Sequence, residues 1–396
     1  MAEPTEDRGQ PVVDWLLHEG HRLHHTADLL TALAARLRGA GVPVDRITLG
    51  IRQLHPELFT RAYVWTSAAG ATEGINREHG IETTDMYRRS PVAPIFDGGG
   101  AFRRRLVGPD AQLDYGILPD LAAEGYTDYT MRPIVFSDGR QVAAGFVTKA
   151  TDGFNAGDMA VLDHVLEAAA PLAEMRQLRR TAEDLLDTYV GHATGERILS
   201  GDILRGAGDS IDAVLWFCDI DGFTELSQRL ARDDLIALLN AFFDCVVEPV
   251  EAEGGEVLKF MGDAMLAIFP IGGRDRRACC RAAIAAAERA IEGVAALNAE
   301  RPVAGAPPLS FGLALHAGEA MYGNIGAAQR LDFTVIGPDV NLVARLEPLC
   351  QKLGVPLVVS AALAACWPEA FVSRGRQRLR GFEAPQEVFT LARFAT

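Results

Sequence analysis

The sequence predicts an α+β protein of two domains joined by a helical linker. Three observations carry that expectation. At 396 residues the chain exceeds the ~100–200 residues of a single domain. Strand-like and helix-like apolar patterns alternate in both halves. A helical stretch of irregular apolar spacing, residues 171–210, lies between them.

The elements follow in order. Residues 1–10 read as an acidic, disordered tail. Asp14 to Ala40 reads as one helix, with Leu16, Leu23, Leu30, Leu33 and Leu37 near helical spacing and Gly39, Gly41 and Pro43 to stop it. Arg46 to Ile51 and Leu58 to Trp65 read as strands, and Gly98-Gly99-Gly100 as a loop. Arg132 to Phe136 and Val142 to Thr148 form a hairpin turned at Ser137-Asp138-Gly139-Arg140. Asn155 to Leu178 is helical, with Val161, Leu162, Val165, Leu166 and Ala169 on one side. This order predicts a small α+β domain over residues 11–170, whose sheet face makes a pocket. The linker spacing suits a short coiled coil or a plain helix.

The second domain, residues 211–396, opens on the apolar run Ala213 to Cys218, a buried strand ending in Asp219-Ile220-Asp221-Gly222-Phe223-Thr224. Leu226 to Ala252 is helical. Glu256 to Phe260 and Ala264 to Phe269 form a hairpin around Met261-Gly262-Asp263. Arg274 to Glu300 is helical, Leu309 to His316 and Ala320 to Ile325 are two strands, Leu331 to Ile336 is a third, and Asp339 to Gln351 is a helix. Such alternation implies a mixed sheet with helices on its faces.

Composition narrows the function. With 53 acidic against 38 basic residues the net charge is −15, which disfavours a nucleic-acid or anionic-membrane binder. An anionic small substrate stays open, because a site can be locally positive or metal-filled. No apolar stretch reaches the ~18–20 residues of a membrane span. The nearest, Ala278 to Ala296, is broken by Arg281, Glu288, Arg289 and Glu292. The first nine residues carry Glu3, Glu6 and Asp7 and no secretion pattern, so a cytoplasmic location is expected. The six cysteines form no CxxC pair, which suits reduced, mostly buried thiols.

Chemistry concentrates in the second domain. Asp219 ends a strand and Asp263 sits in a hairpin turn, and two carboxylates on adjacent strand ends can hold Mg²⁺ against a triphosphate. Lys259 stands four residues before Asp263. Asn341 and Arg345 share one helix face at i and i+4, where they can donate to a ribose oxygen and a phosphate together.

Four motifs in order, Phe217-Cys-Asp-Ile-Asp-Gly-Phe-Thr224, Lys259-Phe-Met-Gly-Asp263, His316-Ala-Gly-Glu-Ala-Met-Tyr-Gly-Asn-Ile-Gly326 and Val335-Ile-Gly-Pro-Asp-Val-Asn-Leu-Val-Ala-Arg345, resemble the catalytic domain of class III nucleotidyl cyclases over about residues 211–391. The resemblance implies that Asp219, Asp263 and the Ile220 carbonyl hold two Mg²⁺ or Mn²⁺ ions. Lys259 and Thr334 would read the purine, with Phe223 and Thr224 near the substrate. Asn341 would orient the ribose and Arg345 stabilise the transferring phosphoryl group. The Lys/Thr pairing goes with ATP in that family, and Lys259 can donate to adenine N1 while Thr334 accepts from the 6-amino group. It also resembles the subclass often stimulated by bicarbonate. The implied protein is a homodimeric adenylate cyclase with sites shared between protomers, making 3′,5′-cyclic AMP and pyrophosphate. A guanylate cyclase and a nucleotide-binding regulator without turnover are the alternatives.

In the first domain, Asp14-Trp15-Leu16, Leu54-His55-Pro56, Asp85-Met-Tyr-Arg-Arg-Ser-Pro91 and Phe136-Ser-Asp-Gly139 resemble a GAF- or PAS-like input domain. Leu185 to Gly191 resembles the helical element that joins such domains to a cyclase. A small-molecule or ion effector is therefore expected there. Three further features read as structural. His18, His21, His24 and His25 suit a solvated or dimer-facing helix better than a metal or haem site, and the cluster would also fit pH sensing. Arg103-Arg104-Arg105 reads as a short surface run. Asp221, a third carboxylate beside Asp219, reads as a surface residue.

Overall fold

The computed structural model describes residues 5–70, 72–206, 208–300, 308–327 and 329–395. The chain divides into two units, Met1–Leu185 and Leu186–Thr396. The architecture is α+β, as expected.

The first unit is built on an antiparallel sheet in the order β3-β2-β1-β6-β5-β4. Its strands are β1 Arg46–Arg52, β2 Leu58–Thr66, β3 Thr72–Glu78, β4 Phe102–Arg105, β5 Asp128–Val135 and β6 Gln141–Thr148. Alternation sends Ile47, Trp65, Ile134, Val142, Ala144 and Phe146 to one face. There they pack on the helices Thr5–His18, Thr26–Gly39 and the start of Ala156–Val190 through Leu16, Leu33, Leu37, Val161 and Leu162.

Three sequence readings change here. Residues 5–10 open a helix rather than a tail, because Arg8 bonds the buried Asp158 at 3.0 Å and Val12, Val13 and Leu16 are buried behind it. Residues 1–4 lie outside the described residues. The single helix over Asp14–Ala40 is two, since the chain turns at the buried Gly20 through the 3₁₀ segment Gly20–Arg22. The four histidines are thereby spread over a helix end, that turn and the lead-in to the next helix, and all are exposed. Arg103 and Arg105 are no surface run either: both pair with Asp128, which is fully buried.

The helix Ala156–Val190 crosses the boundary between the units, and His192–Leu199 follows in the second. That unit holds a sheet of order β13-β14-β12-β10-β7-β9-β8, with β11 paired to β10. Its strands are β7 Gly208–Ile220, β8 Glu256–Met261, β9 Ala264–Pro270, β10 Phe311–Ala327, β11 Arg330–Ile336, β12 Leu357–Ser360, β13 Phe371–Gln377 and β14 Gln386–Leu391. Among the described residues only β10 and β12 run parallel. The two strands expected at 309–325 are one 17-residue strand, because β7 pairs with it without interruption from Phe311↔Ile220 to Gly323↔Gly208. One sheet face carries Trp216, Cys218, Phe269 and Leu313 against the helices Arg232–Ala252 and Arg276–Glu300, through Phe242, Val246, Ile284 and Ala287. The other carries Leu215, Ile268 and Ala314 against the helix Pro338–Leu346, through Leu342, Val343 and Leu346. Among the described residues no helix is long and apolar enough to cross a membrane.

Candidate active site

The site starts at two strand ends. Asp219 is the penultimate residue of β7, and Cys218 of that strand pairs with Met265 of β9. Asp263 immediately precedes β9, in the two-residue turn closed by Met261↔Ala264. Gly262 there has φ +72, a left-handed conformation that glycine takes without a steric cost. The turn therefore delivers Asp263 beside Asp219. Burial, and then the neighbouring Asp263 carboxylate, push the Asp219 carboxyl up to about 6. Asp219 Oδ1 is buried and has no hydrogen-bond partner.

A buried, unpartnered carboxylate oxygen facing a second carboxylate is costly unless a cation sits between them. The donor set is all oxygen, which suits Mg²⁺ or Mn²⁺. Among the described residues no group of three or more His, Cys, Asp or Glu side chains is arranged to hold a metal alone. Two carboxylates and a carbonyl fit an ion that takes its remaining ligands from water and phosphate. Ile220 is 4% exposed and its side chain lies in the core, so only its backbone is available.

Asp221 is already engaged. Ser310 Oγ donates to its carboxylate at 2.6 Å, and its own N–H donates to the Ser310 carbonyl at 2.9 Å. It stands beside the pair rather than in it. Phe223 packs against the core and Thr224 is exposed at the start of the helix Phe223–Arg229.

The base-reading pair occupies a different place. Lys259 lies on β8 and is ion-paired with Asp332 of β11. Asp332 and Thr334 alternate to one face of β11, while Phe333 and Val335 turn into the core. Asn341 and Arg345 sit exposed on Pro338–Leu346, whose Leu342, Val343 and Leu346 are buried. Neither makes a hydrogen bond or ion pair to Asp219 or Asp263 within the chain.

The third motif anchors that helix. Glu319 N–H donates to Asp339 Oδ2 at 2.8 Å. A Cβ on Gly318 would lie 2.1 Å from the same oxygen, so only glycine admits the contact. His316 is 5% exposed, with Nδ1 2.7 Å from Ser360 Oγ and Nε2 3.4 Å from Asp339 Oδ1, without the alignment of a hydrogen bond at the latter.

Sequence reading missed Glu347. It caps the helix that carries Arg345, is 7% exposed, and is pushed up to about 7 by burial and then by Asp219, Asp221 and Asp263. Its carboxyl lies over Gly312, where a Cβ would come within 2.1 Å of Oε1, and Gly312 pairs with Asp219 across the sheet. Nothing local marks this residue, since the strand pair that places it is remote in sequence. Asp332 was missed for the same reason.

The second unit resembles known proteins. Residues 209–393 match the family described as the adenylate and guanylate cyclase catalytic domain. The match takes in a little under half of the chain, and residues 209–393 resemble a class III cyclase catalytic domain. An adenylate cyclase of Anabaena cylindrica is 30% identical over 176 residues, 43% of this chain and 34% of that protein. An uncharacterised protein of Mycobacterium tuberculosis is 37% identical over 223 residues, 54% of this chain and 39% of that protein. The chain thus spans little more than a third of these relatives' length. A solved bacterial light-regulated adenylyl cyclase shares the fold, with a TM-score of 0.50 at 21% identity, over 67% of this chain and 87% of that one. Within residues 209–393, the motif residues fall into two groups: Asp219, Ile220 and Asp263 at one strand end, and Lys259 and Thr334 on β8 and β11, with Asn341 and Arg345 on the adjoining helix.

Proposed function

We propose that the protein is an adenylate cyclase, converting ATP to 3′,5′-cyclic AMP and pyrophosphate in sites shared by two copies of the chain. The observation that carries this reading is the pairing of Asp219 and Asp263, with one carboxylate oxygen buried and unpartnered. It is supported by the cyclase domain and by the adenylate cyclase named among the relatives.

Asp219, Asp263 and the Ile220 carbonyl would hold Mg²⁺ or Mn²⁺. When bound, such ions lower the pKa of an attacking hydroxyl and neutralise charge on phosphate oxygens. The residues of the chain do the rest. Lys259, aimed by Asp332, donates to adenine N1, and the Thr334 hydroxyl accepts from the 6-amino group, whereas guanine presents the opposite pattern. Asn341 holds the ribose so that its 3′-oxygen lies in line with the α-phosphorus. Arg345 donates to the phosphoryl oxygens as charge builds there. The two groups of residues come from different protomers in this reading. A C2 pair, the commonest oligomer symmetry, would complete two sites. The first unit would regulate them.

The test is turnover of ATP and GTP, side by side, with Mn²⁺ and the full-length chain. Cyclic AMP as the main product is expected. Cyclic GMP as the main product overturns the base-reading assignment. No product from either, together with measurable nucleotide binding, replaces the enzyme with a nucleotide-binding regulator.

A further inference from the structure

The first unit contains a cavity of about 700 Å³ on the sheet face opposite the three long helices, roofed by the short helices Asp85–Arg88, Ala93–Phe96 and Leu118–Ala123. Alternation sends Arg46, Thr48, Gly50, Ala62, Val64, Tyr129, Met131 and Val147 to that face, opposite the set that packs on the helices. Its floor is made of small residues, of which Gly145 is covered by the Tyr129 hydroxyl and the Met131 methyl, 3.2 and 3.3 Å from where its Cβ would stand. Gly145 lies between Thr48 and Met131 in one cross-strand row, and Gly50 lies between Ala62 and Ala143 in the next. Over this floor stand apolar side chains, among them Val92, Phe96 and Leu121.

One end is chemically distinct. Tyr129, Val147 and Arg46 form a single cross-strand row. Tyr129 is 3% exposed, and its hydroxyl lies 3.2 Å from where a Gly145 Cβ would stand. Among the described residues that hydroxyl makes no hydrogen bond, and Arg46 makes no ion pair. Burial holds the Tyr129 phenol well above its ordinary range, so it remains a donor, and the charge of Arg46 is felt there. The other charged lining residues, Arg77, Asp85, Arg89 and Asp120, are all exposed at the rim. A buried phenol donor beside a half-buried guanidinium that bonds the Tyr126 hydroxyl but has no carboxylate partner is a receptor for an anion.

We infer that this cavity binds a small carboxylic acid with an apolar body, its carboxylate held by Arg46 and the Tyr129 hydroxyl and its body lying against Gly50, Ala62 and Val64. A few polar groups that fix orientation, in a largely apolar cleft, is the usual construction of a small-molecule site. The inference does not depend on the reaction of the second unit, and its test needs no nucleotide.

The test titrates the full-length protein with 2-naphthoate and, separately, with the isosteric neutral 2-naphthamide, by calorimetry at neutral pH. The acid should bind at one site per chain, about tenfold or more tighter than the amide, the worth of a charge-assisted hydrogen bond. Arg46→Gln should bring the acid to the amide's affinity, and Tyr129→Phe should weaken the acid severalfold. Ala62→Leu, which raises the floor, should weaken both probes. Unchanged melting curves identify which variants are folded. Equal affinity for acid and amide, no saturable binding of either, or folded variants that bind as the parent does would each overturn the inference.

Discussion

The ammonium of Lys259 on β8 is ion-paired with the carboxylate of Asp332 on β11, two residues before Thr334 on the same strand face. A lysine has four rotatable bonds and loses rotamer entropy when it is aimed. Asp332 meets part of that loss before substrate arrives. Asp332→Ala should therefore raise the KM for ATP about twofold to fivefold, the scale of a part-exposed ion pair, with kcat less affected. Asp332→Glu should keep most of the parent affinity. Steady-state kinetics of the three proteins check this, and an unchanged KM in Asp332→Ala would remove the positioning role.

Asp219 is the residue whose loss should be most severe. Asp219→Ala is expected to lower turnover by about a thousandfold or more, since no other carboxylate can take its place at the end of β7. The same change removes a buried, unpartnered oxygen. In chelator the variant should melt no lower than the parent, and its oligomeric state should be unchanged. A large drop in melting temperature would mean that Asp219 serves the fold rather than the site.

How much of this was legible in the sequence depends on where the information sat. Asp219, Asp263, Asn341 and Arg345 could be placed because a strand end, a glycine turn and an i,i+4 spacing are local signals. Glu347 and Asp332 could not, because their partners are brought to them by strand pairing. Edge strands were also missed. β3 has one strongly apolar residue, Ile75, and β4 is Phe102 followed by three arginines, so neither shows the alternation of a half-buried strand. The arginines of β4 found their reason only in Asp128, a buried carboxylate on the paired strand.

Gly318 offers a test of the helix anchor. In Gly318→Ala the new Cβ would collide with Asp339, the residue that ties Pro338–Leu346 to β10. The helix carrying Asn341 and Arg345 must shift, and small misplacements of positioning groups cost about a hundredfold in rate. Turnover should fall far more than stability. Parent-like turnover would show that Asp339 does not set the helix position.

His316 makes the fold sensitive to acid. Burial, opposed by Asp339, holds its pKa below the ordinary 6.5. The unfolded chain therefore binds the proton more readily, so protonation favours unfolding as pH falls below 6.5. The imidazole resonances should titrate with a midpoint below 6.5, and His316→Gln should flatten that part of the stability–pH curve. A midpoint above 6.5 would mean that Asp339 outweighs burial.

The central claim is that each catalytic site is assembled from two chains. Asp219→Ala and Arg345→Ala should each be inactive alone, because one lacks the metal carboxylate and the other the phosphoryl-binding cation. Mixed and allowed to exchange, they form heterodimers in which one of two sites is intact, so about a quarter of parental cyclic AMP formation should return. Recovery near that level is the predicted result. If subunits demonstrably exchange and activity stays at the level of the separate variants, the shared-site account is contradicted.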